Sequence, residues 1–389
     1  MTRSRTIEAI NEKIRQGNVV VMTAEEVIGL VREQGPESAF DQVDVVTTAT
    51  FGPMCSTGAF LNFGHSDPPI RLEKITLNNV PASGGLAAVD TYIGATDVSE
   101  SAPESYGGAH VICDLVEGKK VTLKGSAKGT DCYPGKSVSR EVSLEDLNEA
   151  FMFNPRNAYQ NYAAAINLSS RPIHTYMGTL LPDGSNITYS TTGQLSPLLN
   201  DPYLKTIGIG TRIFLAGAQG YVAFNGTQFK TDVERDDNGI PKTPAATLSV
   251  IGNLKKMDRE FLSPVVFKGY GVSMNVGIGI PIPVLNPGVL SDCGISDEAI
   301  KTNVIDYSVP ARSKPVIATV TYAELRSGEV SVGDRKVKTA PLSSLRKARK
   351  IAQILKEQIQ QGEFFLSQPV EYFTLDHRVK PMVEGGEDA

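Results

Sequence analysis

Residues 1–50 restrict the fold more than any other stretch of this chain. Ile7, Ile10 and Ile14 recur at helical spacing and predict an amphipathic helix ending near Gly17. Val19 to Met22 is short and apolar, and reads as a strand. Thr23-Ala24-Glu25-Glu26 then fits a capping box, in which the residue-23 hydroxyl and the residue-26 carboxylate each satisfy a backbone N–H of the other's turn. A helix to about Gln34 follows from it, and Val43 to Thr50 reads as the next strand. Strand, helix and strand in that order form a β-α-β unit. The expected fold is therefore mixed α/β, a helix-flanked mixed sheet.

Downstream the pattern turns strand-rich. Arg71 to Val80, His110 to Val116 and Lys120 to Lys128 read as strands, the last two joined by a hairpin at Glu117-Gly118-Lys119. A helix capped by Ser143 is expected over Leu144 to Met152. Thr175 to Leu181 and Asn186 to Ser190 flank a turn at Pro182-Asp183-Gly184-Ser185, a second hairpin. Two further strands, near Ile207 to Gly210 and Tyr221 to Phe224, precede an exposed loop over Thr231 to Thr243. Ala245 to Met257 is expected to be helical and Val265 to Ile280 β-rich. The C-terminal part holds a strand Val316 to Thr321, a hairpin centred on Gly333 and a long helix from Ser343 to Gln361. The expected organisation is a cysteine-bearing α/β domain over residues 1–310, a strand-hairpin-helix subregion over 311–375 and a flexible tail over 376–389.

Charge and hydropathy exclude two classes of partner. The net charge is −5 and the basic residues are dispersed, so no stripe for nucleic acid is present. No apolar run reaches the roughly 18 residues that span a bilayer, and the N-terminus is charged rather than signal-like. A cytoplasmic location without membrane contact is expected. There the four cysteines, none in a C-x-x-C pair, are expected to be reduced thiols.

Two of those thiols stand in settings that point to chemistry. Cys55 follows Phe51-Gly52-Pro53-Met54. If Gly52-Pro53 turns the chain and a helix opens beyond, its sulfur lies among unpaired N–H groups that favour thiolate. The other reading of Cys55 is a small buried apolar residue. Cys132 lies between Lys128 and Lys136, and Tyr133-Pro134-Gly135 forces a turn beside it. This is a setting for a low-pKa sulfur carrier, or for an ordinary loop thiol. Cys113 alternates like a strand residue and reads as structural, and Cys293 falls in a loop after a proline-rich run. His65 and Asp67 follow Cys55 within one connection. His65 is a candidate general acid/base, with turn capping as its alternative. Arg156 and Arg171, in loops beside Asn and Ser, are candidates for gripping a substrate carboxylate, as Asp67 is for substrate binding. No metal is required by these spacings. An iron–sulfur cluster, the alternative, would draw on Cys55, Cys132 and Cys293. Gly208-Ile209-Gly210 and Gly217-Ala218-Gln219-Gly220 lack the strand–loop–helix setting of a dinucleotide site. The residues together point to sulfur or thiol chemistry.

The chain resembles the homocysteine-biosynthesis, sulfur-incorporation family of L-aspartate semialdehyde sulfurtransferases. The likeness rests on Thr50-Phe51-Gly52-Pro53-Met54-Cys55-Ser56, on Asn62-Phe63-Gly64-His65-Ser66-Asp67-Pro68-Pro69 and on Gly129-Thr130-Asp131-Cys132-Tyr133-Pro134. It continues through Gly210-Thr211-Arg212-Ile213-Phe214-Leu215, Pro244-Ala245-Ala246-Thr247 and Thr339-Ala340-Pro341-Leu342-Ser343-Ser344-Leu345. The resemblance implies conversion of aspartate semialdehyde and sulfide to homocysteine. It also implies Cys55 and Cys132 as the functional thiols, and an external electron donor in the form of a ferredoxin-like iron–sulfur partner. Within it, Cys132 is the expected sulfur carrier, Cys55 its partner and His65 the proton carrier. The alternatives are cluster-dependent sulfur insertion by the same cysteines and a non-catalytic persulfide carrier. A homo-oligomer is compatible with either. The expected form is the one without the C-terminal CBS domains that some members carry.

Overall fold

The computed structural model describes residues 3–382. The first helix, Ile7–Arg15, starts where the Thr6 hydroxyl accepts from the Ala9 N–H at 3.1 Å. The capping box forms as read. Thr23 N–H donates to the Glu26 carboxylate at 2.7 Å and Glu26 N–H to the Thr23 hydroxyl at 3.3 Å, opening the helix Ala24–Gln34. The strands on either side, Val21–Thr23 and Val45–Pro53, pair in parallel and complete the β-α-β unit.

These strands begin a fourteen-stranded sheet in which Val45–Pro53 and Gly58–Asn62 are separated by five others. In order these are Gly271–Pro283, Arg212–Leu215, Ala218–Asn225, Leu248–Asn253 and Ala150–Asn157. Laid flat, six strand spacings would hold Val45–Pro53 and Gly58–Asn62 about 29 Å apart. The chain between Pro53 and Gly58 reaches no further than about 18 Å. The sheet therefore curls round until the two strands nearly meet, and Cys55 sits in the turn that joins them.

Beyond Gly58–Asn62 the sheet continues through Asp90–Gly94, Val80–Ser83, Lys74–Leu77, Val121–Ser126 and Ser137–Val142, all antiparallel. A second, six-stranded sheet has the order Val316–Thr321, Lys301–Asp306, Ala164–Ile166, Asn186–Tyr189, Arg335–Pro341, Glu329–Val332. Its ladder crosses residue 310, because Lys301–Asp306 pairs with Val316–Thr321. The long C-terminal helix, Leu345–Gln360, lies instead on the large sheet. It fits there because Gly277 and Gly279 leave room: a Cβ at Gly277 would stand 2.7 Å from Ile351, and one at Gly279 3.0 Å from Ile351 and 3.2 Å from Leu355. Near the C-terminus His377 N–H donates to the Thr231 hydroxyl at 3.1 Å; residues 383–389 of the expected tail lie outside the described residues.

Several elements differ from expectation. The segment over His110 to Val116 is the helix Gly108–Val116, and Gly118, at φ +81°, ends it rather than turning a hairpin. Val111, Ile112, Cys113 and Leu115 are all buried, and only His110 and Asp114, one turn apart on the part-exposed face, mark its helical period. The helices expected over Leu144 to Met152 and Ala245 to Met257 are replaced by the strands Ala150–Asn157 and Leu248–Asn253, neighbours in the middle of the large sheet. Arg71 to Val80 is broken at Asn78-Asn79, both at positive φ, into a hairpin of Lys74–Leu77 with Val80–Ser83. The expected hairpin at Pro182-Asp183-Gly184-Ser185 forms one strand earlier, between Ile173–Thr175 and Gly178–Leu180. The turn at Gly333 joins Glu329–Val332 to Arg335–Pro341, as expected.

Candidate functional site: a cysteine cavity and a distant surface thiol

Cys55 does not open a helix. The strand runs on through Gly52 and Pro53, which pairs with Asn275, and the chain reverses in a tight turn. Thr57 N–H and its hydroxyl donate to the Met54 carbonyl at 3.0 and 2.6 Å, and Asn154 Nδ2 donates to the same hydroxyl at 2.7 Å. Gly52 is required for another reason: a Cβ there would run into Ser343. The segment Leu342-Ser343-Ser344 crosses at this point, with Ser344 N–H on the Phe51 carbonyl and Leu342 N–H on the Tyr189 carbonyl, each at 2.8 Å.

The turn forms one wall of a cavity of about 330 Å³ between the two sheets. Cys55, Arg156, Tyr159, Tyr162, Tyr176 and Tyr270 line it, with Thr191 and Leu342 from the smaller sheet's side. The Cys55 sulfur accepts a hydrogen bond from the Ser273 hydroxyl at 3.1 Å. Burial pushes its thiol pKa up and the Ser273 bond partly offsets this, so the group is a protonated thiol at neutral pH rather than the helix-stabilised thiolate expected. Arg156 is aimed by Thr227, whose hydroxyl accepts from Nε at 3.0 Å.

The connector between strands Ala150–Asn157 and Ala164–Ile166 carries Tyr159 and Tyr162. Ala158 and Asn161 hold the left-handed conformation, at φ +53° and +48°. Such strain persists only where the surroundings fix the chain, and here buried amides do so. Asn161 Nδ2 donates to the carbonyls of Pro241 and Lys301, each at 2.7 Å, and Gln160 Nε2 to those of Leu198 and Pro202, each at 2.9 Å.

Cys132 lies elsewhere. It is exposed, in a reverse turn closed by Thr130 N–H on the Tyr133 carbonyl at 2.9 Å and Tyr133 N–H on the Thr130 carbonyl at 3.1 Å. The His65 ring stacks with that of Tyr133 at 6.2 Å, and Gly135 N–H donates to the Pro69 carbonyl at 3.0 Å. His65 and the segment carrying Asp67 are thus companions of the Cys132 loop. The ladder registers place this loop past the Asn62 end of Gly58–Asn62, whereas Cys55 precedes its Gly58 end. Of the residues read as site candidates, Cys55 and Arg156 share the cavity; Cys132, His65, Asp67 and Arg171 do not line it.

Cys293 is fully buried at the end of the helix Pro287–Cys293, its sulfur 3.5 Å from the Asn200 carbonyl. Among the described residues no three His, Cys, Asp or Glu side chains are grouped to hold a metal ion. The cysteine triad of the cluster alternative is not assembled within one chain. The tyrosines were missed in sequence, because they come from three separated segments. The available signal was an aromatic pair in Tyr159-Gln160-Asn161-Tyr162 and a tyrosine, Tyr176, where a hairpin tip usually holds Gly or Asn.

A thiol, a guanidinium and several phenol hydroxyls thus share one small cavity, the groups that cysteine chemistry on a small molecule draws on. The chain belongs to the family described as homocysteine biosynthesis enzyme, sulfur-incorporation, whose model matches residues 19–366. It is 50% identical over 378 residues to the L-aspartate semialdehyde sulfurtransferase of Methanosarcina acetivorans, covering 97% of this chain and 74% of that protein. It is likewise 50% identical over 383 residues to the enzyme of the same name from Methanocaldococcus jannaschii, covering 94% and 73%. An uncharacterized protein of Methanothermobacter thermautotrophicus is 31% identical over 336 residues. No solved structure matches the chain significantly. Among the described residues no helix is long and apolar enough to cross a membrane.

Proposed function

We propose that this chain is an L-aspartate semialdehyde sulfurtransferase that forms homocysteine, and that the carbon–sulfur bond is made in the Cys55 cavity. The observation that carries this reading is the presence of Cys55 and Arg156 on the walls of one cavity, sized for a four-carbon amino-acid aldehyde. The Arg156 guanidinium takes the substrate carboxylate and turns the aldehyde toward the thiol. Cys55 adds to the aldehyde carbon to give a thiohemiacetal, and hydrosulfide then replaces the hydroxyl, which leaves as water. Two electrons and two protons cleave the bond to Cys55, giving homocysteine and the free thiol. Overall, one aldehyde, one hydrogen sulfide, two electrons and two protons yield one thiol and one water.

Cys132 serves the supply side. Exposed at a loop tip, its thiol takes a sulfane sulfur from a donor persulfide, R–S–SH, becoming a persulfide itself, and the donor leaves as its thiol, R–SH. Two electrons and two protons then reduce the persulfide to thiol and hydrogen sulfide, with His65 moving protons. An external carrier, a ferredoxin-like iron–sulfur protein in this proposal, supplies the electrons.

The test is an anaerobic incubation of the purified chain with aspartate semialdehyde, sulfide and a reduced ferredoxin, with homocysteine read by mass spectrometry. Product from the wild type and none from Cys55→Ser is expected. No product under these conditions would sink the enzyme assignment and leave a sulfur-carrying role.

A further inference from the structure

At the cavity wall three tyrosine hydroxyls form a hydrogen-bonded chain. The Tyr162 and Tyr176 hydroxyls are 2.9 Å apart, and those of Tyr176 and Tyr307 3.1 Å. Three phenols hold three O–H donors, and the two bonds between them use two. One O–H is left over, and Tyr162 and Tyr176, two of the three residues that can hold it, line the cavity. Tyr162 lines the cavity and Tyr307 does not. Burial raises the pKa of both Tyr162 and Tyr307, so the hydroxyls stay protonated at neutral pH. Tyr176, at the tip of the hairpin Ile173–Thr175/Gly178–Leu180, is 36% exposed and joins the chain to solvent.

We infer that Tyr162 is the catalytic proton donor to the carbonyl oxygen in the Cys55 cavity, with Tyr176 positioned to reload it from water; this rests on the reading of that cavity as the place where the aldehyde reacts. As the Cys55 sulfur bonds to the aldehyde carbon, the C=O π pair moves onto oxygen and that oxygen takes the Tyr162 proton. Tyr162 takes the Tyr176 proton, Tyr176 takes one from water, and the thiol's own proton passes to water. No electron enters or leaves in this step.

The step can be observed without turnover. The full chain is mixed with succinic semialdehyde labelled with carbon-13 at the carbonyl, and the tetrahedral adduct on Cys55 is followed by NMR. Y162F is expected to form the adduct about 100-fold more slowly than wild type. Y176F is expected to slow formation and breakdown together, about 10-fold, with the adduct equilibrium unchanged; a packing defect would move that equilibrium instead. Should Y162F fail to fold, Y176F decides. Equal rates in wild type and variants, or no adduct in folded wild type, overturn the inference. A Tyr162-dependent adduct without homocysteine formation from aspartate semialdehyde would break the sulfurtransferase reading and leave the proton donor in place.

Discussion

Cys55 and Cys132 are carried by opposite ends of the same sheet and differ in almost every physical respect. Cys55 is part-buried, hydrogen-bonded to Ser273, raised in pKa by desolvation and faced by an arginine and several tyrosines. Cys132 is exposed at a loop tip beside His65 and Tyr133. A part-buried thiol in a small cavity suits a small aldehyde better than another protein. A thiol on a loop can do the reverse. The difference teaches that two thiols of one sheet can stand in separate settings, and in the proposed reading uptake of sulfur at Cys132 and its insertion into carbon at Cys55 are separable.

The sharpest way to break this comparison is to remove each thiol in turn. Cys55→Ser is expected to lower homocysteine formation at least about 1,000-fold and to abolish the aldehyde adduct. Cys132→Ser is expected to stop turnover from a persulfide donor while the adduct at Cys55 still forms. Loss of the adduct in Cys132→Ser would place both thiols in one site.

Arg156→Met comes next. It removes the proposed partner of the substrate carboxylate and is expected to raise KM for the aldehyde about 10- to 100-fold, as steady-state kinetics would show. An unchanged KM would move carboxylate recognition elsewhere. Arg171→Met, outside the cavity, is the matched control and is expected to leave KM within about twofold.

Gly52→Val drives a branched side chain into Ser343 and is expected to destabilise the fold by about 1–3 kcal/mol in chemical denaturation. Because Leu342 lines the cavity, adduct formation should slow as well. The smallest effect belongs to Ser273→Ala. Its hydroxyl favours the Cys55 thiolate, so removing it raises the thiol pKa further. Less thiolate is then present at pH 8, and alkylation of Cys55 is expected to slow about 2- to 10-fold, with Cys132 unaffected.

How much of this was legible in sequence depended on whether a local signal existed. The capping box at Thr23, the amphipathic helix at Ile7 and the terminal helix after Ser344 carry their signals in their own residues, and all were readable. The helix Gly108–Val116 reads as a strand because its run is short and apolar and only His110 and Asp114 mark its exposed face. The strands Ala150–Asn157 and Leu248–Asn253 owe their form to partners far along the chain, and a short apolar run cannot reveal its neighbours. At the site, Cys55 and Arg156 were found by residue type. Their juxtaposition, the strand running on through Gly52-Pro53 and the tyrosine chain follow from the curl of the sheet, which no window of sequence contains.

The most direct test of separate settings for the two thiols is differential alkylation. The anaerobic wild-type chain is treated with iodoacetamide, with and without aspartate semialdehyde, and labelling of each cysteine peptide is timed by mass spectrometry. Protection of Cys55 alone, with Cys132 labelled at the same rate in both samples, is the expected result. Protection of Cys132, or of neither thiol, would contradict the account.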